Sequence, residues 1–447
     1  MTSGVLCAVP SVAEAPIVSA IDAPGTGLRV VRRCADLAEA TALAVAGVGR
    51  AVVLAAEVQG VDRAAIARLR GAGLGVVLLA DRGELERCRA LGADAVLVQD
   101  CAPEEVVAAL QEAQASAAAD DAQSPALPAA KRQAPSGASG WPATGDPPAL
   151  GEHSTQPTAS DPARGQVVAV WGPHGAPGRT TVAVNLAAEL AALGGRTLLV
   201  DADTYGGCVG QALGLLDEAA GLAAAVRSAA NGTLDAAGLA RLCPVVEPGL
   251  RVLTGLSRPD RWRELAPAGL DVVWEASREL ADWTVVDCGF SLEEDARAGF
   301  EAMLGPRRNG ATLSAIASSD VVLAVGAAEP VGLQRLVQGL TELAELGLPD
   351  GGARLRVLVN RVRASAAGPK PERAVTEALV RYAGVSDVVL VPDDRPALDR
   401  AMLQGVTLRE SAPGSPARGA LRDLAAELAG GAAPERGRGR RVSRFSR

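Results

Sequence analysis

The sequence predicts an α/β protein made of two doubly wound, mostly parallel sheets in series. Three observations predict it. Short apolar runs alternate with helix-like text over residues 1–115 and again over 166–430. The stretch between them, 116–165, is dominated by Ala, Ser, Pro, Gly, Asp and Gln and has no apolar periodicity. Apolar residues make up 48% of the chain and aromatic ones only 2%, so the apolar content is mostly aliphatic, which suits buried parallel strands covered by Ala-rich helices.

In the first unit the strands are expected at Val5–Val9, Leu28–Val31, Ala51–Ala56, Gly75–Ala80 and Ala95–Val98. Helical text lies at Asp36–Ala46, Val61–Gly71, Gly83–Leu91 and Pro103–Ala113. Five such βα units make a small doubly wound domain over 1–115. The segment 116–165 reads as a disordered linker, being longer than the connections inside compact domains. In the second unit, 166–430, strands are expected at Gln166–Trp171, Arg196–Val200, Arg251–Leu253, Trp283–Val286, Val321–Val325 and Leu355–Val359. Residues 431–447 are a Gly/Arg tail carrying Arg436, Arg438, Arg440, Arg441, Arg444 and Arg447.

The net charge of −8 argues against a whole-molecule nucleic-acid binder. Seven scattered cysteines, never in CxxC spacing, read as free thiols of a reducing compartment. No apolar run approaches the roughly 20 residues that span a bilayer, and the N-terminus has no basic leader region. A cytoplasmic protein is expected. Cations are almost all Arg; the lysines are Lys131 and Lys370.

The chemistry concentrates in Val167–Thr181. An apolar strand runs into a Gly/Pro-rich turn, Gly172-Pro-His-Gly-Ala-Pro-Gly178, and then into Arg179-Thr-Thr181, where a helix opens. Glycine lets backbone approach a phosphate, and a helix N-terminus offers unpaired N–H groups and a positive dipole end. A Thr hydroxyl in the first turn can hold Mg²⁺. Two later strands end in carboxylates, Arg196–Asp203 with Asp201 and Asp203, and Trp283–Gly289 with Asp287. Strand-terminal carboxylates meet at the carboxyl edge of a parallel sheet, beside such a loop.

With these residues in place, His174–Thr181 resembles the deviant Walker A loop of MinD/ParA ATPases, usually written KGGxGKTT. Asp201-Ala-Asp203 resembles their switch I DxD, and Val285-Val-Asp287 their Walker B strand. Ala317–Val331 is similar to the strand and turn after switch II, Leu358-Val-Asn-Arg361 to the strand ending in a base-reading Asn, and Val391-Pro-Asp-Asp394 to the turn beside adenine. The resemblance covers about 166–428. It implies a P-loop NTPase domain preceded by a receiver-like (βα)5 domain, a combination closest to the Flp/Tad pilus assembly branch (CpaE/TadZ-like), whose actinobacterial relatives are often labelled septum-site-determining.

The resemblance implies ATP and Mg²⁺. His174, Gly175, Ala176, Pro177, Gly178, Arg179, Thr180 and Thr181 would cradle the phosphates. Thr180 and, through water, Asp287 would hold the metal. Asp201 and Asp203 would orient the attacking water, with Arg179 as the catalytic cation. Asn360, Arg361, Pro392 and Asp394 would flank adenine. The function implied is a spatial organiser that positions a partner machine, of pilus assembly or the division septum, as a homodimer with weak or partner-dependent ATP hydrolysis. Two alternatives stand beside it: a non-catalytic pseudo-ATPase adaptor, and a ParA-like chromosome-partitioning factor.

The sequence also departs from that pattern. His174 stands at the signature Lys position, from which the family's Lys reaches the partner's phosphates, and imidazole is mostly neutral at pH 7 by its reference pKa. Arg179 stands at the second Lys position, with a larger, planar head group. The receiver-like unit lacks an Asp at its third strand, where Ala55-Ala-Glu57 stands, and a Lys after its fifth, where Gln99-Asp100 stands. It reads as a pseudo-receiver for docking or dimerisation. Arg436–Arg447 reads first as a solvated, disordered tail; the alternative is a weak contact with anionic membrane or nucleic acid, which would place the cytoplasmic protein peripherally at the inner membrane face.

Overall fold

The computed structural model describes residues 2–9, 11–123, 164–175, 177–215, 220–293, 306–349 and 352–430. Most of the expected linker, the Arg436–Arg447 tail and Ala176 lie outside the described residues.

In the first unit five strands form one parallel sheet: β1 Ser3–Ala8, β2 Leu28–Arg33, β3 Ala51–Ala55, β4 Gly75–Ala80 and β5 Ala95–Val98. Their order is β2-β1-β3-β4-β5, the flavodoxin-like doubly wound arrangement. Every residue of β3 and β4 is buried, which is why both read as unbroken apolar runs. The helices are α1 Ser11–Ile21, α2 Leu37–Val45, α3 Arg63–Gly71, α4 Leu85–Ala90 and α5 Pro103–Gln123. Asp36 and Asp62 cap α2 and α3, accepting from the N–H groups of Glu39 and Ala65. Helix α1 was not expected, because Pro16 inside it breaks the helical text and removes a backbone donor. Helix α5 runs past the expected domain end at 115. At the carboxyl edge, Glu57 accepts from Gln99 Nε2 at 3.4 Å and Asp100 pairs with Arg82 at 3.6 Å.

The second unit is an eight-stranded sheet of β6 Gln166–Trp171, β7 Thr197–Ala202, β8 Val245–Glu247, β9 Leu250–Leu253, β10 Trp283–Cys288, β11 Val321–Ala327, β12 Arg354–Val362 and β13 Val388–Pro392. The order is β13-β12-β11-β6-β10-β7-β9-β8, parallel throughout except for β8 against β9. The strands β8 and β13 were not expected. Both are short edge strands with half-exposed residues, so neither makes a long apolar run. β13 extends to Pro392, into text read as a turn.

Along central strand β6 the side chains alternate between two cores. Val167, Ala169 and Trp171 enter the core on one face of the sheet. Val168 and Val170 enter the other, beneath α6 Arg179–Ala192. Helix α6 is buried from Val182 through Ala191, and Ala183, Ala187 and Ala188 let it lie close to the strands. Trp171 is the one aromatic in β6. Its ring is fully buried, its Nε1 donates to the Phe290 carbonyl at 3.2 Å, and a Cβ on Gly339 would lie 2.8 Å from its Cη2. Replacing Trp171 by Ala is expected to cost about 3–5 kcal/mol, read as a lower urea midpoint for the second unit.

Candidate functional site

Register brings the carboxylates together. Asp287 on β10 pairs with Asp201 on β7 and with Val170 on β6, so the carboxyl ends of three neighbouring strands converge. The chain leaves β6 at Gly172 and enters α6 at Arg179, with Gly178 as the residue before the helix. Gly178 has φ +98°, and a Cβ there would lie 2.4 Å from Asn360 Nδ2. Only glycine meets both conditions. Among the described residues of the stretch 174–181, His174 and Gly175 are exposed, and the others are buried or half-buried.

Thr180 opens the helix and its hydroxyl donates to Asp287 Oδ2 at 2.6 Å. The other oxygen, Oδ1, is buried with no hydrogen-bond partner among the described residues. Asp201 is also buried; its oxygens accept from the N–H groups of Asp203 and Val209, at 3.2 and 3.0 Å. Asp203 Oδ1 accepts from the N–H of Tyr205 at 2.8 Å, while its Oδ2 lies 3.5 Å from Arg179 Nη2. Asp201 therefore shapes the 203–209 turn and holds Asp203 at the mouth.

Arg179 is the expected cation, but its head group is engaged. Nε donates to the Cys288 carbonyl at 3.0 Å, and Nη1 to the carbonyls of Gly172 and Pro173 at 3.1 and 3.2 Å. The planar fork fits inside the loop and ties its entry to the end of β10. His174 stands exposed at the rim, its ring edge-on to Phe290 with centroids 6.4 Å apart.

On the far side of α6 lies a cavity of about 320 Å³, lined by Thr180, Thr181, Arg361, Asp393, Leu398 and Met402 among others. That size is in the range of small-ligand sites. Two residues expected beside a base are engaged elsewhere. Asn360 is buried, donates from Nδ2 to the Pro177 carbonyl at 3.0 Å, and accepts the N–H of Arg361, so it locks the loop. Asp394 Oδ2 accepts from Ser415 Oγ at 2.6 Å. Asp393 and Arg395 line the cavity in place of Pro392 and Asp394, because β13 continues to Pro392 and shifts the turn by a residue. Arg361 lines the cavity, with φ +60° at a break in the register of β12 and β13.

Burial dominates the electrostatics. It pushes the Asp201 carboxyl up to about 7, against the two backbone N–H groups that pull it down. Burial also raises Asp287 well above the carboxylate range, with the Asp201 charge adding to it and the Thr180 hydrogen bond opposing it. Two buried carboxyls and the orphaned Oδ1 of Asp287 suit a divalent cation, which would restore their charge. A Thr hydroxyl beside one carboxylate with an unpartnered oxygen is a donor set that fits Mg²⁺, which keeps waters and takes phosphate oxygens. Thr180 and Asp287 would hold it.

The comparisons agree with this architecture. A ParA family ATPase from Chlorobium tepidum TLS aligns with a TM-score of 0.50 and 19% identity, over 60% of this chain and 99% of that one. That share matches the length of the second unit. The second unit has the fold of a ParA-type P-loop ATPase. The cell division ATPase MinD of Pyrococcus furiosus aligns at 0.47 and 22% identity, over 60% and 99%. The septum site-determining protein MinD of Pyrococcus horikoshii OT3, complexed with Mg-ADP, aligns at 0.45 and 22%, over 59% and 95%. No protein-family model matches the chain, and no curated protein matches it. Among the described residues no helix is long and apolar enough to cross a membrane. All seven cysteines are unpaired.

Sequence reasoning missed Cys208, whose Sγ lies 3.6 Å from Thr180 Oγ1, and Arg395 and Met402 in the cavity wall, while Asp393 stood inside the Val391–Asp394 turn without being singled out. Only the neighbouring Pro392 and Asp394 pointed towards these wall residues. The raised carboxyls carry a pH dependence. Asp201 keeps a proton in the fold that the unfolded chain releases above its ordinary value of 3.8. Stability is therefore fullest below that value and is lost as pH rises towards about 7. Without added Mg²⁺ the thermal midpoint is expected to fall between about pH 4 and about pH 7, and Mg²⁺ with nucleotide to flatten that fall.

Proposed function

We propose that the second unit binds ATP with Mg²⁺ and works as a MinD/ParA-type positioning ATPase with slow or partner-dependent hydrolysis. The observation that carries this reading is the Thr180–Asp287 contact of 2.6 Å at the N-terminus of α6, beside an unpartnered carboxylate oxygen. A Thr hydroxyl and a strand-end Asp held together at a phosphate loop are what an Mg²⁺·nucleotide site needs. The backbone N–H groups of 178–181 and the α6 dipole would face the phosphates, and Asp203 would orient water. The cavity walled by Arg361, Asp393 and Met402 would take the base.

The reading includes a homodimer, with pilus assembly or the division septum as the machine positioned. The first unit, with its flavodoxin-like order and no Asp at the end of β3, would serve as a pseudo-receiver that docks. Slow hydrolysis follows from His174 at the loop rim and from an Arg179 head group already engaged by three carbonyls.

That last observation also favours a second reading, a pseudo-ATPase adaptor whose loop Arg179 fills for good. The two readings part on one titration. With a fluorescent ATP analogue, the first expects Mg²⁺-dependent binding that Thr180→Ala weakens by about tenfold. It also expects Arg179→Lys to bind as well or better, since a slimmer ammonium frees the loop. No binding by wild type at millimolar ligand would leave the adaptor.

A further inference from the structure

Across the loop from the base-sized cavity lies a second one, of about 240 Å³, lined by His174, Gly175, Glu329, Arg335 and Arg361 among others. Arg335 stands on the helix Pro330–Glu345, which Pro330 opens directly after β11. Long helical side chains lean towards their own N-terminus, and this one carries its guanidinium over the phosphate loop. A Cβ on Gly175 would lie 2.2 Å from Arg335 Nη1. Gly175 has φ +104° besides, so glycine both makes the turn and admits the Arg.

Charge in this cavity is unbalanced. Glu329 is paired with Arg363 at 3.1 Å. Among the described residues neither Arg335 nor Arg361 has a side-chain hydrogen bond or ion pair. Arg361 holds φ +60°, an unusual backbone for a residue with a side chain, and Asn360 Oδ1 fixes it by accepting its N–H at 2.8 Å. Arg361 falls at the register shift between β12 and β13. Among the described residues the guanidinium groups of Arg335 and Arg361 thus have no hydrogen bond or ion pair, Arg361 lying within electrostatic reach of Glu329, and both stand on the β11 and β12 side of the loop, while Asp201, Asp203 and Asp287 stand on the β10 and β7 side. The loop's own cation, Arg179, is held by backbone.

We propose that Arg335, with Arg361 beside it, binds the phosphate chain of the ligand in this loop, supplying from the same chain the positive charge that His174 does not. The inference rests on the nucleotide-binding reading above and deepens it. The chemistry recognised is a polyphosphate anion, for which the planar, bidentate guanidinium is suited. Because Arg335 comes from a helix of the same unit, the charge is present without a second copy.

The test uses the full chain with two probes, a fluorescent Mg²⁺·ATP analogue and inorganic tripolyphosphate. Arg335→Gln is expected to weaken both by about tenfold, the loss of one charge-assisted contact. Arg335→Lys should stay within about threefold of wild type, and the salt dependence of binding should be shallower for Arg335→Gln. A purely packing role would move neither the salt dependence nor the Lys rescue. Arg361→Gln, read with tripolyphosphate because Arg361 also walls the base cavity, gives a second loss that decides the matter if Arg335→Gln melts below wild type. Wild-type binding that both Gln variants leave unchanged would overturn the inference while the nucleotide reading stands. Tripolyphosphate binding lost in Arg335→Gln, without any nucleotide binding, would keep the anion site and remove the nucleotide. If wild type takes neither probe, both readings fall.

Discussion

Three carboxylates brought to the end of one sheet, two of them buried, must be neutralised, and much of the second unit is arranged around that demand. Asp201 and Asp287 lie in register on adjacent strands, so their separation is fixed by the sheet and cannot relax. One answer is protonation, which burial already favours at Asp201 and Asp287. Another is local donors: Thr180 for Asp287, backbone N–H groups for Asp201 and Arg179 for Asp203. What remains is the unpartnered Oδ1 of Asp287, which a cation would satisfy.

The loop is stiffened from several sides. Asn360 holds it at Pro177, and Arg179 clamps its entry to the end of β10. Arg335 lies over Gly175. These contacts come from β12, α6 and the helix after β11, elements distant in sequence and adjacent only in the sheet. A site assembled this way is preorganised, because its groups are held by packed strands and helices and the loop itself is short. The same clamps explain why Arg differs from Lys here. A guanidinium can donate to several carbonyls in a plane, whereas an ammonium on a flexible stem is free to move.

Charge is segregated around the loop, with acid on the β7 and β10 side and the guanidinium groups of Arg335 and Arg361 on the β11 and β12 side. A polyphosphate with its metal has the complementary polarity, metal towards the acids and phosphates towards the guanidinium groups, so an occupied loop would balance both sides at once. The ParA-type fold supplies the layout, and this chain's use of Arg sets which residues carry the positive side.

Much of this was legible in the sequence. Buried strands announce themselves as apolar runs, so all strands of the first unit and the six central ones of the second were found, while edge strands β8 and β13 and the Pro-bearing α1 were not. The strand–turn–helix text placed Thr180, and strand ends placed Asp201 and Asp287, because local hydrophobic pattern fixes which residue stands at a strand's end. Only the tertiary structure decided partners. That Asn360 faces Pro177, that Asp394 is taken by Ser415, that Asp393 lines the cavity, and that Arg335 reaches Gly175 all depend on sheet order and on a one-residue difference in where β13 stops. Periodicity along a chain sets the face on which a side chain lies; which group it meets there is set by strand register and packing between segments far apart in sequence.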